Sequence, residues 1–233
     1  SITLWHFSTS SMPELAQNYR RLQQALSECA ARNGHDVQLL AVSKGQPHQQ
    51  VAACAALGQK AFGENYVQEA LEKIAALREL GLEWHMIGPL QSNKCQAAAV
   101  HFDWVQSVDR EKIIKILDQH RPESLPPLSV LIQVNIDAEP GKSGCAATDV
   151  MTLAQQVIGC RKLRLRGLMA IPNPATSADG NAFARMQQLF ERLRESHPAA
   201  DTLSMGMSDD YPAAIAHGAN LVRIGSALFG PRP

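Results

Sequence analysis

Apolar residues recur along this chain in two alternating patterns. Short, mostly apolar runs predict buried strands, and longer segments with apolar residues three and four apart predict helices. The predicted strands are 37–43, 60–63, 83–88, 103–107, 128–135, 163–171, 202–206 and 221–225. A helix is predicted in each gap between strands, at 47–57, 66–80, 93–100, 110–120, 148–158, 178–197 and 209–217.

This alternation of strand and helix predicts a parallel sheet built from βαβ units. Eight strands with a helix in every gap predict an α/β protein with a single (β/α)8 TIM-type barrel. An open, doubly wound sheet is the alternative architecture. No G-x-G-x-x-G fingerprint follows the first predicted strand, however, and this disfavours a dinucleotide-binding fold.

An extra helix is predicted before the first strand. Pro13 suits its first turn, and Gly34 suits the position just after its end. Its apolar residues fall on one helical face: Leu15, Tyr19, Leu22, Leu26 and Cys29. The expected organisation is one barrel domain over residues 13–233, preceded by a leader over residues 1–12 that is disordered or derived from cloning.

Composition narrows the functional classes. The 233 residues are 45% hydrophobic, and 22 Lys and Arg balance 22 Asp and Glu, so no basic field predicts a nucleic-acid partner. No apolar run is long enough to predict a membrane span, and the first residues lack the pattern of a signal peptide. The five cysteines are scattered without a C-x-x-C pair, which predicts neither a metal site nor a disulfide framework. A reducing, cytoplasmic location is therefore expected.

The first predicted strand ends in a lysine. Side chains alternate between the two faces of a strand, so Leu40, Val42 and Lys44 share one face. If that face lines the barrel, Lys44 lies at its mouth, where a neutral amine could form a Schiff base with an aldehyde. The alternative is a lysine that simply extends its amine into water at a strand end.

The last two predicted strands are followed by glycine and serine. Barrel enzymes often bind a phosphate between the loops that follow strands seven and eight. Here these loops supply Gly206 and Ser208 after the seventh strand, and Gly225 and Ser226 after the eighth. Glycines let backbone N–H groups approach an anion, and serines add hydroxyl donors. A purely structural alternative makes Ser208 a helix cap and Gly225 a turn residue.

Arg223 lies two residues before Gly225 and shares its face of the strand. An arginine inside the barrel needs a partner, which is either a carboxylate in an ion pair that holds the loops or a ligand.

Three other features of the sequence are given less weight as functional sites. The sequence PGKS at 140–143 lacks the first glycine of a P-loop, His85 is expected to be a packed core residue, and the pair Asp209-Asp210 suits the first turn of a helix.

These residues together resemble one family. The chain is similar, from about residue 13 to its end, to the pyridoxal phosphate homeostasis proteins, which are related to the barrel domain of alanine racemase. The strings that carry the resemblance are 40–44 (LAVSK), 62–69 (FGENYVQE), 84–94 (WHMIGPLQSNK), 166–172 (RGLMAIP), 203–210 (LSMGMSDD) and 222–230 (VRIGSALFG).

The resemblance implies a role for each matching residue. Lys44 would bind pyridoxal 5′-phosphate as an internal aldimine, and Arg223 would face the pyridine nitrogen. The phosphate would be bound by the loops that contain Ser208, Gly225 and Ser226. Asn65, Met205 and Gly206 complete the expected cofactor-binding set. Gly45-Gln46 departs from the Thr-Lys that often follows the lysine in relatives, and this would change solvent access beside the lysine.

The function implied by the resemblance is intracellular vitamin B6 homeostasis, as a carrier or buffer of pyridoxal phosphate rather than a catalyst. An arginine beside the pyridine nitrogen leaves that nitrogen unprotonated, which makes the cofactor a poor electron sink. Enzymes that depend on pyridoxal phosphate are the expected recipients. Two alternatives stay open at this point. One is a racemase-like enzyme using this cofactor, and the other is a barrel enzyme that acts on a phosphorylated metabolite with Lys44 as its own nucleophile.

Overall fold

The structure is a computed structural model that describes residues 11–233. Eight parallel strands form a closed barrel in which each strand pairs with its neighbours in the sequence, and β8 closes the barrel against β1. The strands are β1 (Gln38–Val42), β2 (Ala61–Glu64), β3 (Glu83–Met86), β4 (Trp104–Val108), β5 (Leu128–Gln133), β6 (Leu163–Met169), β7 (Thr202–Ser204) and β8 (Leu221–Ile224).

The helices surround this barrel. They are α1 (Ser11–Asn33), α2 (His48–Ala56), α3 (Val67–Ala76), α4 (Cys95–His101), α5 (Glu111–His120), α6 (Val150–Ile158), α7 (Pro174–Ser177), α8 (Asn181–Ser196), α9 (Tyr211–Ala216) and α10 (Ser226–Phe229). Short 3-10 helices occupy Arg78–Leu80, Ser92–Lys94 and Ala147–Asp149. The predicted (β/α)8 barrel is confirmed, and the open-sheet alternative is wrong.

Several strands end earlier than the apolar runs predict. The run at 128–135 forms a strand only to Gln133, and the run at 163–171 only to Met169. Beyond these points the chain leaves the sheet and enters the loops of the barrel mouth, where Ile171 is exposed. Apolar residues continue past the last strand hydrogen bonds, so hydrophobicity alone places the strand ends too late.

The core has two layers. Most buried apolar side chains pack between the outside of the barrel and the helices, including Leu39 and Ala41 of β1. Leu40 lies between these two and points into the barrel, where it packs with Ala61, Ile87 and Leu221. Alternation along β1 therefore places one face inside the barrel, as the sequence pattern predicts.

Helix α1 packs its predicted apolar face into the core, from Leu15 to Cys29. It ends before Gly34, whose φ of +72° is the left-handed conformation of a C-terminal glycine cap. Of the predicted leader at 1–12, residues 1–10 lie outside the described residues, and the last two belong to α1. Within residues 11–233, no helix combines the length and the apolar character needed to cross a membrane.

Candidate functional site

Two adjoining cavities open at the carboxyl ends of the strands. The first has a volume of about 370 Å³ and is lined by Val42, Lys44, Gln46, Met207, Ser208, Asp209, Arg223, Gly225, Ser226, Gly230, Pro231 and Arg232. We call it the lysine cavity. The second, of about 640 Å³, shares Met207 and Asp209 with the first and extends over the mouth toward Asn65 and Lys142. We call it the outer cavity.

Lys44 follows the end of β1 and is half-buried in the lysine cavity. Its two neighbours in the chain are bound by charged side chains of helix α3. Lys73 Nζ donates to the carbonyl oxygen of Ser43 at 2.7 Å, and the N–H of Gly45 donates to Glu69 Oε1 at 2.6 Å. Lys73 and Glu69 also pair with each other at 2.9 Å. The backbone on both sides of Lys44 is thus fixed by one ion pair.

A second carboxylate, Glu64 at the end of β2, completes this buried network. Lys73 Nζ lies 2.5 Å from its Oε1, to which the Ser43 hydroxyl donates at 3.3 Å. Its other oxygen, Oε2, is buried without a hydrogen-bond partner. Burial raises the pKa of Glu64 to about 7, against the lowering effect of Lys73. Lys73 lies on the buried face of α3, because it follows Val67 and Ala70 at helical spacing.

The loops after β7 and β8 bring two serine hydroxyls together. Ser226 Oγ donates to Ser208 Oγ at 3.3 Å, and the N–H of Ala227 points to the same oxygen at 3.4 Å. Helix α9 begins only at Tyr211, with Asp210 before it, so Ser208 is not a helix cap. A Cβ atom on Gly225 would lie 3.1 Å from the carbonyl oxygen of Val42, which is a tight contact. This part of the cavity offers hydroxyl and backbone donors to an anion.

Arg223 is buried inside the barrel with 3% of its surface exposed. Its guanidinium donates to the hydroxyl of Ser204 at 2.7 Å and to the carbonyl oxygen of Ala170 at 2.8 Å. Among residues 11–233 no carboxylate oxygen lies within 4.0 Å of it. Burial lowers the pKa of Arg223 to about 10, so it is charged at neutral pH. A buried cation with neutral partners alone leaves donor capacity for a ligand acceptor.

Five of the eight predicted site residues line the lysine cavity together: Lys44, Ser208, Arg223, Gly225 and Ser226. Three other predicted residues lie elsewhere. Asn65 lines the outer cavity, where its Oδ1 is buried without a hydrogen-bond partner. Met205 packs its side chain in the core outside the barrel, and Gly206 contributes its carbonyl oxygen to the N–H of Arg223 at 2.9 Å.

Sequence reasoning missed Gln46 and Arg232 as lining residues of the lysine cavity. Gln46 is buried, and the side chain of Arg232 packs over Gly45, so that a Cβ on this glycine would lie 2.7 Å from Arg232 Cδ. The departure Gly45-Gln46 therefore lies at the cavity edge. Glu64 and Lys73 were also missed, although a lysine on the apolar face of a predicted helix was a signal for them.

Comparison with known proteins gives consistent results. The family model for the alanine racemase N-terminal domain matches residues 11–233. A pyridoxal phosphate homeostasis protein of Pseudomonas aeruginosa is 51% identical over 95% of this chain and 97% of its own length. The protein of the same name from Haemophilus influenzae is 48% identical over 94% of this chain and 96% of its own length.

The solved structure of PipY from Synechococcus elongatus, with pyridoxal phosphate bound, is also similar. It is 37% identical, has a TM-score of 0.82, and covers 93% of this chain and 100% of its own. Both the sequence and the backbone of this chain therefore match one set of proteins along nearly their whole length.

Proposed function

Because this chain belongs to the family of pyridoxal phosphate homeostasis proteins, we propose that it binds pyridoxal 5′-phosphate covalently on Lys44. Its role is vitamin B6 homeostasis, as a carrier or buffer of the cofactor rather than a catalyst. The observation that carries this proposal is the meeting of one amine, one buried guanidinium and two hydroxyls in the lysine cavity.

These groups match the three polar parts of the cofactor. Lys44 offers an amine to the aldehyde, Arg223 offers a donor to the ring nitrogen, and the serine loops offer donors to the phosphate. The Ser208 and Ser226 hydroxyls and the N–H of Ala227 lie together at the edge of the cavity, where they can donate to an anion. A volume of about 370 Å³ suits a small ligand.

The chemistry of attachment follows from Lys44. Lys44 would hold the cofactor through its Nζ, whose free amine can condense with an aldehyde, its two protons leaving with the aldehyde oxygen as one water. When bound, the cofactor supplies an electron sink to an attached amine. Arg223 limits that capacity, because a guanidinium only donates hydrogen bonds and so leaves the ring nitrogen unprotonated. Covalent attachment combined with a weak electron sink favours storage and transfer over catalysis.

The partners proposed on this basis are pyridoxal phosphate itself and the enzymes that require it, in the cytoplasm. Ser226 is exposed at the edge of the lysine cavity, so the phosphate end of the cofactor would be open to solvent. This openness supports exchange with other proteins better than a closed active site would.

The test is to trap the adduct. Incubation with pyridoxal phosphate should give the absorption band of a lysine adduct, and borohydride reduction followed by peptide mapping should place the label on Lys44. Lys44→Ala should lose both signals. Lys142→Ala, which removes a lysine of the outer cavity, is the matched control and should keep both. A label on any other lysine would contradict the proposal.

A further inference from the structure

An unbroken row of side-chain hydrogen bonds crosses the inside of the barrel. Arg223 on β8 binds Ser204 on β7 at 2.7 Å, and Ser204 Oγ binds Gln106 Oε1 on β4 at 2.7 Å. Gln106 Nε2 lies 2.9 Å from His85 Nδ1 on β3, and His85 Nε2 lies 2.7 Å from Glu83 Oε1. We call this row the interior relay.

The direction of each bond in the interior relay is determined by the bond before it. Arginine can only donate, so Ser204 accepts from it and turns its own hydrogen toward Gln106 Oε1. The amide nitrogen of Gln106 then faces His85 and donates to Nδ1. The imidazole is left with its hydrogen on Nε2, which donates to the Glu83 carboxylate. One arrangement of hydrogens satisfies every member.

The interior relay joins a positive charge to a negative one through neutral groups. Ser204, Gln106 and His85 are completely buried, whereas the Glu83 side chain is 41% exposed at the amino end of β3. Burial lowers the pKa of His85, so the ring is neutral. The hydrogen bond from His85 lowers the pKa of Glu83, so its carboxylate is ionised. The relay thus runs from the proposed cofactor site to the opposite mouth of the barrel.

We propose that Gln106, with Ser204 and His85, is a positioning residue that directs the Arg223 guanidinium toward the ring nitrogen of bound pyridoxal phosphate. The geometric reason is that Ser204 is one of two acceptors that fix the guanidinium plane, the other being the carbonyl oxygen of Ala170. Ser204 can accept in this orientation because its own hydroxyl hydrogen is donated to Gln106 Oε1. The inference rests on the proposed function for the identity of the ligand.

A structural role alone would have a different consequence. If the interior relay only satisfied buried polar groups, breaking it would weaken all ligands of the cavity equally. If it directs Arg223, breaking it should weaken only those ligands that present an acceptor at the ring nitrogen. A pair of ligands that differ at this single atom therefore separates the two roles.

The experiment compares pyridoxal phosphate with its deaza analogue, in which carbon replaces the ring nitrogen. Wild-type protein should bind pyridoxal phosphate about tenfold or more tightly than the analogue, the usual value of one hydrogen bond to a charged group. Gln106→Leu should lose most of this preference, with little change in affinity for the analogue. Ser107→Ala is the matched control, because it removes a neighbouring buried hydroxyl that has no hydrogen-bond partner.

A second variant, Ser204→Ala, removes the acceptor itself and should lose the same preference if Gln106→Leu does not fold. In the protein without cofactor, ¹⁵N NMR should show His85 with hydrogen on Nε2 and a bare Nδ1, with His85→Gln identifying the signal. An unchanged preference in either folded variant would overturn the inference while leaving the proposed function intact. Failure of wild-type protein to form the lysine adduct would instead overturn the proposed function.

Discussion

Ser208 Oγ and Ser226 Oγ lie 3.3 Å apart, although 18 residues separate them in the chain. They follow adjacent strands, β7 and β8, so their meeting depends on the barrel and not on local sequence. These two hydroxyls and the neighbouring N–H of Ala227, at the edge of the lysine cavity, are the proposed phosphate site.

Ser226→Ala should therefore weaken the binding of pyridoxal phosphate more than that of pyridoxal. The loss of one charge-assisted hydrogen bond costs on the order of 1.5–3 kcal/mol, which is about tenfold or more in affinity. Titration of the absorption band with both ligands measures the effect. Ser143→Ala, at an exposed serine of the outer cavity, is the control and should leave both affinities unchanged. Equal losses for the two ligands would argue against this phosphate site.

Lys73→Met should destabilise the protein strongly. At pH 8, above the pKa of Glu64, the change removes the cation beside this buried group, which must then stay charged in the interior or take up a proton. It also frees the backbone at Ser43, for an expected loss of about 3–5 kcal/mol. Denaturant unfolding measures the change. Lys115→Met removes the lysine of an exposed pair with Glu111 and should cost less than about 1 kcal/mol. A Lys73 variant as stable as the Lys115 variant would show that the buried network contributes little.

Stability should fall between pH 4.5 and 7 through Glu64, whose pKa rises from its ordinary 4.5 to about 7 on folding. Below pH 4.5 Glu64 is protonated in both the folded and the unfolded state, and its contribution to the stability of the fold is fully present. As the pH rises through this window the unfolded chain loses its proton first, so the contribution is lost by about pH 7. The loss is on the order of 3 kcal/mol. Glu64→Gln should flatten this part of the pH profile, and an unchanged slope would contradict the assignment.

The protein should not racemise alanine at an enzymatic rate. Racemisation needs an acid/base group on each face of the cofactor, and no tyrosine lines the lysine cavity within the described part of the chain. Tyr66 is exposed, and under the proposed function Arg223 would leave the ring nitrogen unprotonated and so weaken the electron sink. Deuterium exchange at the α-carbon, with chiral analysis of L- and D-alanine, is the measurement. Turnover of about 1 per second or faster would restore the racemase alternative.

Much of the fold follows from the sequence alone, for local reasons. Period-two and period-3.6 patterns reflect which face of each element is buried, and each pattern lies within a few neighbouring residues. The alternation of these patterns predicted all eight strands and the closed barrel. Alternation along the first strand placed Lys44 at the mouth of the barrel, on the same face as Leu40 and Val42. The side chains of a strand alternate between its two faces whichever strands it pairs with. Strings that resemble a known family then gave the proposed ligand.

The tertiary structure alone decided which polar side chains meet inside the barrel and in the buried network of Glu64 and Lys73. Gln106 and Ser204 are 98 residues apart, and they touch because barrel closure brings β4 and β7 to face each other across a narrow interior. Glu64 and Lys73 meet beneath Lys44 because α3 packs against the outside of the barrel there. Such contacts depend on the register of every intervening strand and on the packing of the helices. A buried hydrogen bond acts over about 3 Å, so a pattern read along the chain cannot specify its partner.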